Sequence, residues 1–296
     1  MHRAHPAKLR LMRKTSPPHH VASRFAWPWL DRQGHISASR AGCFVLLCAP
    51  ALWLFGLAIA GDLGPEPLKA AMKEIGRWTM RLFLVTLAVT PAARLAGAAR
   101  LASLRRMLGL GTLAYALLHL LLYAWLEDWR PWQIAQEIVT RFYLTLGFVA
   151  LLGLLALGWT SSDAWLRRLG PGWKRLHRLV WPIALLGLWH FFLQSKSLVF
   201  EAVIAAGLLS WLALWRILPP AVRLRPAALF LLAPMSAALA VAAEYGFFAL
   251  ATRLPAARIA AANLDPSLAP RPAQWVLAIT LLIPLLVVLR RRATAR

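Results

Sequence analysis

Eight stretches of the chain are apolar over lengths close to the roughly 20 residues that a helix needs to cross a bilayer. They lie near 42–60, 78–95, 107–126, 142–160, 179–195, 198–218, 227–251 and 273–289, and none alternates with the period of two that marks a strand. Between them stand short stop signals: Gly61 to Pro67, Pro131, Gly170 to Gly172, Pro219 with Pro220, and Pro266 to Pro272. This pattern predicts an all-α, polytopic transmembrane bundle of about eight helices with no soluble domain between them. Three parts follow: a basic, disordered cytoplasmic tail over 1–41, a six-helix core over 42–218, and a C-terminal extension over 219–296 carrying two further helices.

Composition agrees with a membrane setting. Sixty per cent of the 296 residues are apolar, and 34 Lys and Arg outnumber 11 Asp and Glu. A nucleic-acid binder can be as basic, but it does not carry repeated uncharged runs of spanning length, so nucleic acid is not an expected partner. Twenty-four of the 34 basic residues fall on one set of alternate loops and tails, which puts both termini in the cytoplasm. Cys43 and Cys48 share one apolar run, with no Cys-x-x-Cys and no Cys-x-x-Cys-His, so a zinc ribbon and a covalently attached haem are both unsupported. Trp125, Trp129 and Trp132 at one boundary, and Trp159, Trp165 and Trp173 at the other, read as aromatic belts.

Candidate chemistry centres on three histidines. An intramembrane imidazole is costly and marks a functional site unless it is paired off. His119 stands eight residues before Glu127, and His190 six before Lys196, so at about 1.5 Å per residue both lie roughly 9–12 Å from the same face. Two imidazoles at matched depth can grip one haem iron axially, an arrangement suited to electron transfer; they can also line a proton path. His177 lies about 140° around an ideal helix from His190, with Pro182 between them, and is either re-aimed onto the core or interfacial among Lys174, Arg175 and Arg178. Thirteen residues before His119 stands Arg106, so a second bis-histidine site is not supported. A guanidinium there suits a propionate or a phosphate, as do Arg77 and Arg81 at the outer end of their helix. Glu244, inside a late apolar run, is either a proton relay or a packed, neutral, hydrogen-bonded carboxyl.

Several short motifs then resemble a known family. Leu-Ala-Val-Thr-Pro at 87–91, Arg-Arg-Met-Leu-Gly-Leu at 105–110, Leu118-His119, and the run from Trp165 to Val180 with Leu-His-Arg-Leu-Val at its end are similar to those of the MsrQ (YedZ) family. These are haem-binding membrane subunits of periplasmic methionine sulfoxide reductase systems, within the ferric-reductase-like transmembrane group. The resemblance covers about residues 42–216. It implies b-type haem, an FMN site, electrons from the quinone pool, and a periplasmic molybdopterin partner (MsrP-like) that reduces the substrate, so that this chain is an electron-transfer subunit. The family's histidines fall on His119, His177 and His190. By the same reading a flavin phosphate would meet Arg105, Arg106 and Arg178 near His177. The basic tail and the two C-terminal helices depart from the family's usual length.

Two other classes compete. A transporter would use Glu244, the histidines and Pro234 as a midplane site, yet no internal repeat is visible in the sequence. A stand-alone ferric-reductase-like enzyme would need a nicotinamide-binding domain, and no Gly-x-Gly-x-x-Gly follows a strand.

Overall fold

The computed structural model describes residues 27–30, 34–265 and 267–294. Residues 1–26, most of the expected basic tail, lie outside the described residues. Helices follow one another as α1 (Ala38–Ala60), α2 (Pro67–Leu95), α3 (Arg105–Leu126), α4 (Pro131–Thr140), α5 (Phe142–Trp159), α6 (Asp163–Leu169), α7 (Pro171–His177), α8 (Val180–Ser195), α9 (Phe200–Ile217), α10 (Pro226–Ala251), α11 (Ala256–Ala261) and α12 (Pro272–Thr294). A 3₁₀ turn over Ala99–Leu104 leads into α3, and another over Ala262–Leu264 follows α11. No strand occurs among the described residues.

All eight expected helices are present, but they do not all read as spans. Seven helical stretches are long and apolar enough to cross a membrane. The exception is α2, which begins eleven residues earlier than its apolar run, at Pro67. Its first half carries Lys69, Lys73, Glu74, Arg77 and Arg81, and charge hides a helix from a reading based on apolar length. Most of these charges are compensated: Lys69 pairs with Glu66 at 2.9 Å and Arg77 with Glu74 at 2.6 Å. The short helices α4, α6, α7 and α11 were not expected; α4, α6 and α11 lie between spans, and α7 opens the spanning stretch that continues as α8.

Four helices form the centre. α2 packs along α3 and α5 along α8, while α3 meets α5 and α2 meets α8, so the four close into a ring. Met80, Phe83, Leu154 and Ile183 fill its middle, against Trp211 and Trp215 of α9. α10 and α12 pack on α9 and on each other. The α10–α12 connection is pinned to this layer by Glu244, whose carboxylate accepts from the Asn263 amide at 2.5 Å and lies 3.8 Å from the Arg271 guanidinium. Asn263 also accepts from the Ala273 amide, at 3.2 Å. Glu244 is thus a buried, hydrogen-bonded carboxyl with an amide and a guanidinium as neighbours, apart from the histidines.

α1 leans on α2 and α3 from outside. Pro50 removes one helical donor and opens the next turn, and the Tyr115 hydroxyl of α3 fills the gap. It accepts from the Ala51 amide at 3.1 Å and donates to the Leu47 carbonyl at 2.7 Å, bridging two groups that an uninterrupted helix would join directly. The opposite face of α1, with Leu46, Leu52, Phe55 and Ile59, is more than 60% exposed, as expected of a surface that meets lipid. The chain is a multi-pass membrane protein.

Candidate functional site: two facing imidazoles in a four-helix cavity

The ring of α2, α3, α5 and α8 encloses a cavity of about 420 Å³ near the end where α2 begins and α3 and α8 finish. That volume falls within the range of small-molecule and cofactor sites. Phe83, Leu154 and Ile183 line it deep in the bundle, and Lys73, Arg77, Tyr123, Gln194 and Glu201 line it toward the helix ends. His119 on α3 and His190 on α8 line it from diagonally opposite helices, with ring centres 6.4 Å apart and planes at 77°.

Each ring is held by a backbone carbonyl. His119 Nδ1 lies 2.8 Å from the Met72 carbonyl and His190 Nδ1 lies 2.7 Å from the Tyr143 carbonyl. A carbonyl can only accept, so both Nδ1 atoms carry the hydrogen and both Nε2 atoms keep their lone pair. This is the second-shell arrangement that orients a metal-ligating histidine and fixes its tautomer. Glycines give the rings room. A Cβ on Gly76 would sit 3.0 Å from the His119 ring, and one on Gly147 would sit 2.8 Å from the ring of His190.

These two half-sites repeat. Met72, Gly76 and His119 stand 71 residues before Tyr143, Gly147 and His190, and both histidine–carbonyl bonds span 47 residues. The deep wall follows suit, with Met80 and Phe83 answered by Leu151 and Leu154 at the same offset. α2–α3 and α5–α8 are therefore tandem copies of one helix pair, and the cavity lies between them. An internal repeat, not visible in the sequence, is present in the fold; it is parallel and encloses the histidines, whereas Glu244 belongs to neither copy.

The geometry suits an iron that brings its own equatorial ligands. With roughly 2 Å for a metal–imidazole bond and about 1 Å from nitrogen to ring centre, two rings on opposite sides of one metal stand roughly 6 Å apart. Two imidazoles are too few to cage a bare ion, which takes about four ligands, and no third His, Cys, Asp or Glu joins them among the described residues. A haem supplies the other four from its ring.

Of the remaining sequence candidates, Arg77 alone is gathered here. Arg77 lines the cavity, but it and Arg81 form a four-membered network with Glu74 and Glu201, Arg81 reaching Glu201 at 2.7 Å and Glu74 at 3.1 Å. His177 ends α7, thirteen residues and roughly 20 Å of helical rise from His190. Its ring stacks on Trp173 at 3.9 Å, and Nε2 lies 3.3 Å from the Thr160 hydroxyl. Arg106 donates through Nε and Nη2 to the Ser161 carbonyl and pairs with Asp163 at 3.0 Å. The break between α7 and α8 falls at Arg178 and Leu179, which places Pro182 in the first turn of α8, where no donor is needed. Sequence reasoning missed Lys73, the two glycines, and the link from Tyr123 to Glu137 of α4, a 2.5 Å hydrogen bond at the rim. The shared spacing from Gly76 to His119 and from Gly147 to His190 was the available signal.

Comparisons with known proteins bear on this site. The family described as "Ferric reductase like transmembrane component" matches residues 75–188, a stretch that includes His119 and stops two residues short of His190. The protein-methionine-sulfoxide reductase heme-binding subunit MsrQ of Xanthomonas campestris pv. campestris (strain B100) is 46% identical over 156 residues, 52% of this chain and 72% of that protein. The chain belongs to the MsrQ family. The MsrQ of Caulobacter vibrioides is 40% identical over 60% of this chain and 85% of its own length. That of Rhodospirillum rubrum is 41% identical over 66% and 92%. No solved structure gives a significant match.

Proposed function

We propose that this protein is the electron-transferring membrane subunit of a methionine sulfoxide reductase system, and that His119 and His190 hold a b-type haem between the two copies of the helix pair. The observation that carries this reading is the facing pair at 6.4 Å, each ring fixed by a carbonyl on Nδ1. Held by His119 and His190, such a haem would supply a one-electron carrier with no position left for a substrate, which suits electron transfer. The protein's part is to hold both imidazoles in one tautomer, to exclude water with Phe83, Leu154 and Ile183, and to keep the cavity near the end of the bundle.

The distribution of Lys and Arg supports an orientation with both termini in the cytoplasm and the protein in the inner membrane, so that the cavity lies in the periplasmic half. A periplasmic, molybdopterin-containing partner would then take the electrons and perform the substrate reduction. The quinone pool is the donor in this reading. An intermediate FMN would meet Arg105 and Arg178 near His177; Arg106, tied to Ser161 and Asp163, is less available to it. Residues 42–218 form the haem-binding core and 219–296 an extension braced on α9.

Purification in mild detergent from cells supplied with haem, followed by an absorption spectrum and a pyridine haemochrome assay, tests the proposal. The expected result is a Soret band with one b-type haem in the cavity; protein that folds and carries no haem would refute it.

A further inference from the structure

The two edges of the cavity between the histidines belong to α2 and α5, and they are equivalent positions of the repeat. They differ in charge. Lys73 and Arg77 stand on the α2 edge, where the α5 edge has Leu144 and Phe148 at the same 71-residue offset. At other lining positions, Thr79 for Ala150 and Tyr123 for Gln194 exchange neutral groups; outside the lining, Glu74 and Arg81 stand where α5 has Thr145 and Leu152, and these two charges pair within the network of Arg77 and Glu201. Arg77 is already compensated by Glu74 at 2.6 Å and Glu201 at 3.8 Å. Lys73 is not: it lies about one turn nearer the start of α2, lines the same cavity, and makes no ion pair among the described residues. Lys73 is exposed at the cavity's rim, so its ammonium stands at the mouth, where an anionic group of a bound molecule can meet it.

We infer that Lys73 is the positioning cation for an ionised carboxylate arm of the cofactor, and that this cation without an ion-pair partner, present on one edge only, decides which edge of the macrocycle faces α2. The inference rests on the haem reading above. A cavity built from two like halves offers a planar ligand two orientations of similar energy, and a cation on one edge only removes the degeneracy. The lysine's flexible stem lets the charge follow the arm while its methylenes cover the rim.

The test follows transfer of haem to apomyoglobin, together with the midpoint potential, in the full-length protein. Lys73→Met should release haem about fivefold faster than the parent, the scale of a partly exposed charged contact, with a lowered potential because a cation near the haem is gone. Lys73→Arg should stay near the parent. Moving the cation to the equivalent edge, in the double variant Lys73→Met with Leu144→Lys, should bring the release rate back toward the parent. Lys73→Met with parental release rate and potential would overturn the assignment, and failure of the relocated lysine to restore retention would overturn the claim that the edges are interchangeable. A parent protein without a Soret band would defeat the haem reading instead, which keeps the two failures apart.

Discussion

At one end of the repeated helix pair, equivalent positions carry His119 and His190, which face each other across a shared cavity; at the other end, they carry Arg106 and His177, which serve the turn after α5. The hydrogen bonding at the two ends differs in kind. In the cavity both Nδ1 atoms donate to carbonyls, leaving two Nε2 lone pairs. At the other end the Thr160 hydroxyl donates to the Ala156 carbonyl at 2.7 Å, so its contact with His177 requires Nε2 of that ring to donate. In a neutral His177 ring the lone pair is then on Nδ1, not on Nε2 as in His119 and His190. Arg106 on the Ser161 carbonyl and the Trp173 indole on the Thr160 carbonyl at 2.9 Å satisfy the end of α5, where carbonyls lack helical partners and cations are favoured. Symmetry persists where the two copies line one cavity and is lost where each residue caps its own chain.

The largest effect should come from removing a facing ring. His119→Ala and His190→Ala are each expected to abolish stoichiometric haem binding, read as loss of the Soret band in protein that still elutes as a folded species. Full retention in either variant would break the contrast between the two ends. Next in size is crowding of a ring without touching its chemistry. Gly147→Val places a Cβ 2.8 Å from the His190 ring, so the ring must shift or the helices must part, at a cost of about 1–3 kcal/mol. Haem occupancy should fall at least severalfold by the pyridine haemochrome assay, whereas Gly172→Val, with open space at its Cβ, should leave it unchanged.

How much of this could be read from residues alone depends on what carries the signal. The spans were legible because a bilayer imposes a length, and the depth match of His119 and His190 because helical rise is regular. The first half of α2 was not, since its arginines are paired with Glu74 and with Glu201, the latter 120 positions from Arg81. The repeat was hidden because its conserved function needs only a glycine, a histidine and a main-chain carbonyl per copy, and a carbonyl leaves no trace in residue identity. His177 stayed ambiguous because its role depends on a tautomer, which the Thr160 hydroxyl sets and spacing cannot. Glu244 read as an isolated intramembrane acid because its partners, Asn263 and Arg271, lie in a connection with no periodicity.

Smaller effects belong to the capping end. Arg106→Gln removes an ion pair with an exposed Asp163 and one or more bonds to the Ser161 carbonyl, and should cost about 1 kcal/mol of stability with no change in haem content. A thermal melt followed in parallel by tryptophan fluorescence and Soret absorbance separates the two readouts. A loss of haem in this variant would show that the two ends are coupled.

The smallest effect sharpens the comparison most. His177→Ala deletes a ring stacked on Trp173 and one hydrogen bond at 3.3 Å, both replaceable by the interface, so less than about 1 kcal/mol should be lost. Haem bound between His119 and His190 should keep its spectrum and stoichiometry, because His177 donates its Nε2 hydrogen and stands roughly 20 Å away along the helical rise. His177→Gln is the finer probe, since its amide can still donate to Thr160 while no ring remains to coordinate iron. Equal haem content in the parent, His177→Ala and His177→Gln would confine iron to the facing pair. A graded loss across the three would assign His177 an iron of its own, and the turn after α5 would then be a second site in which the two copies of the helix pair have diverged in ligands and not in purpose.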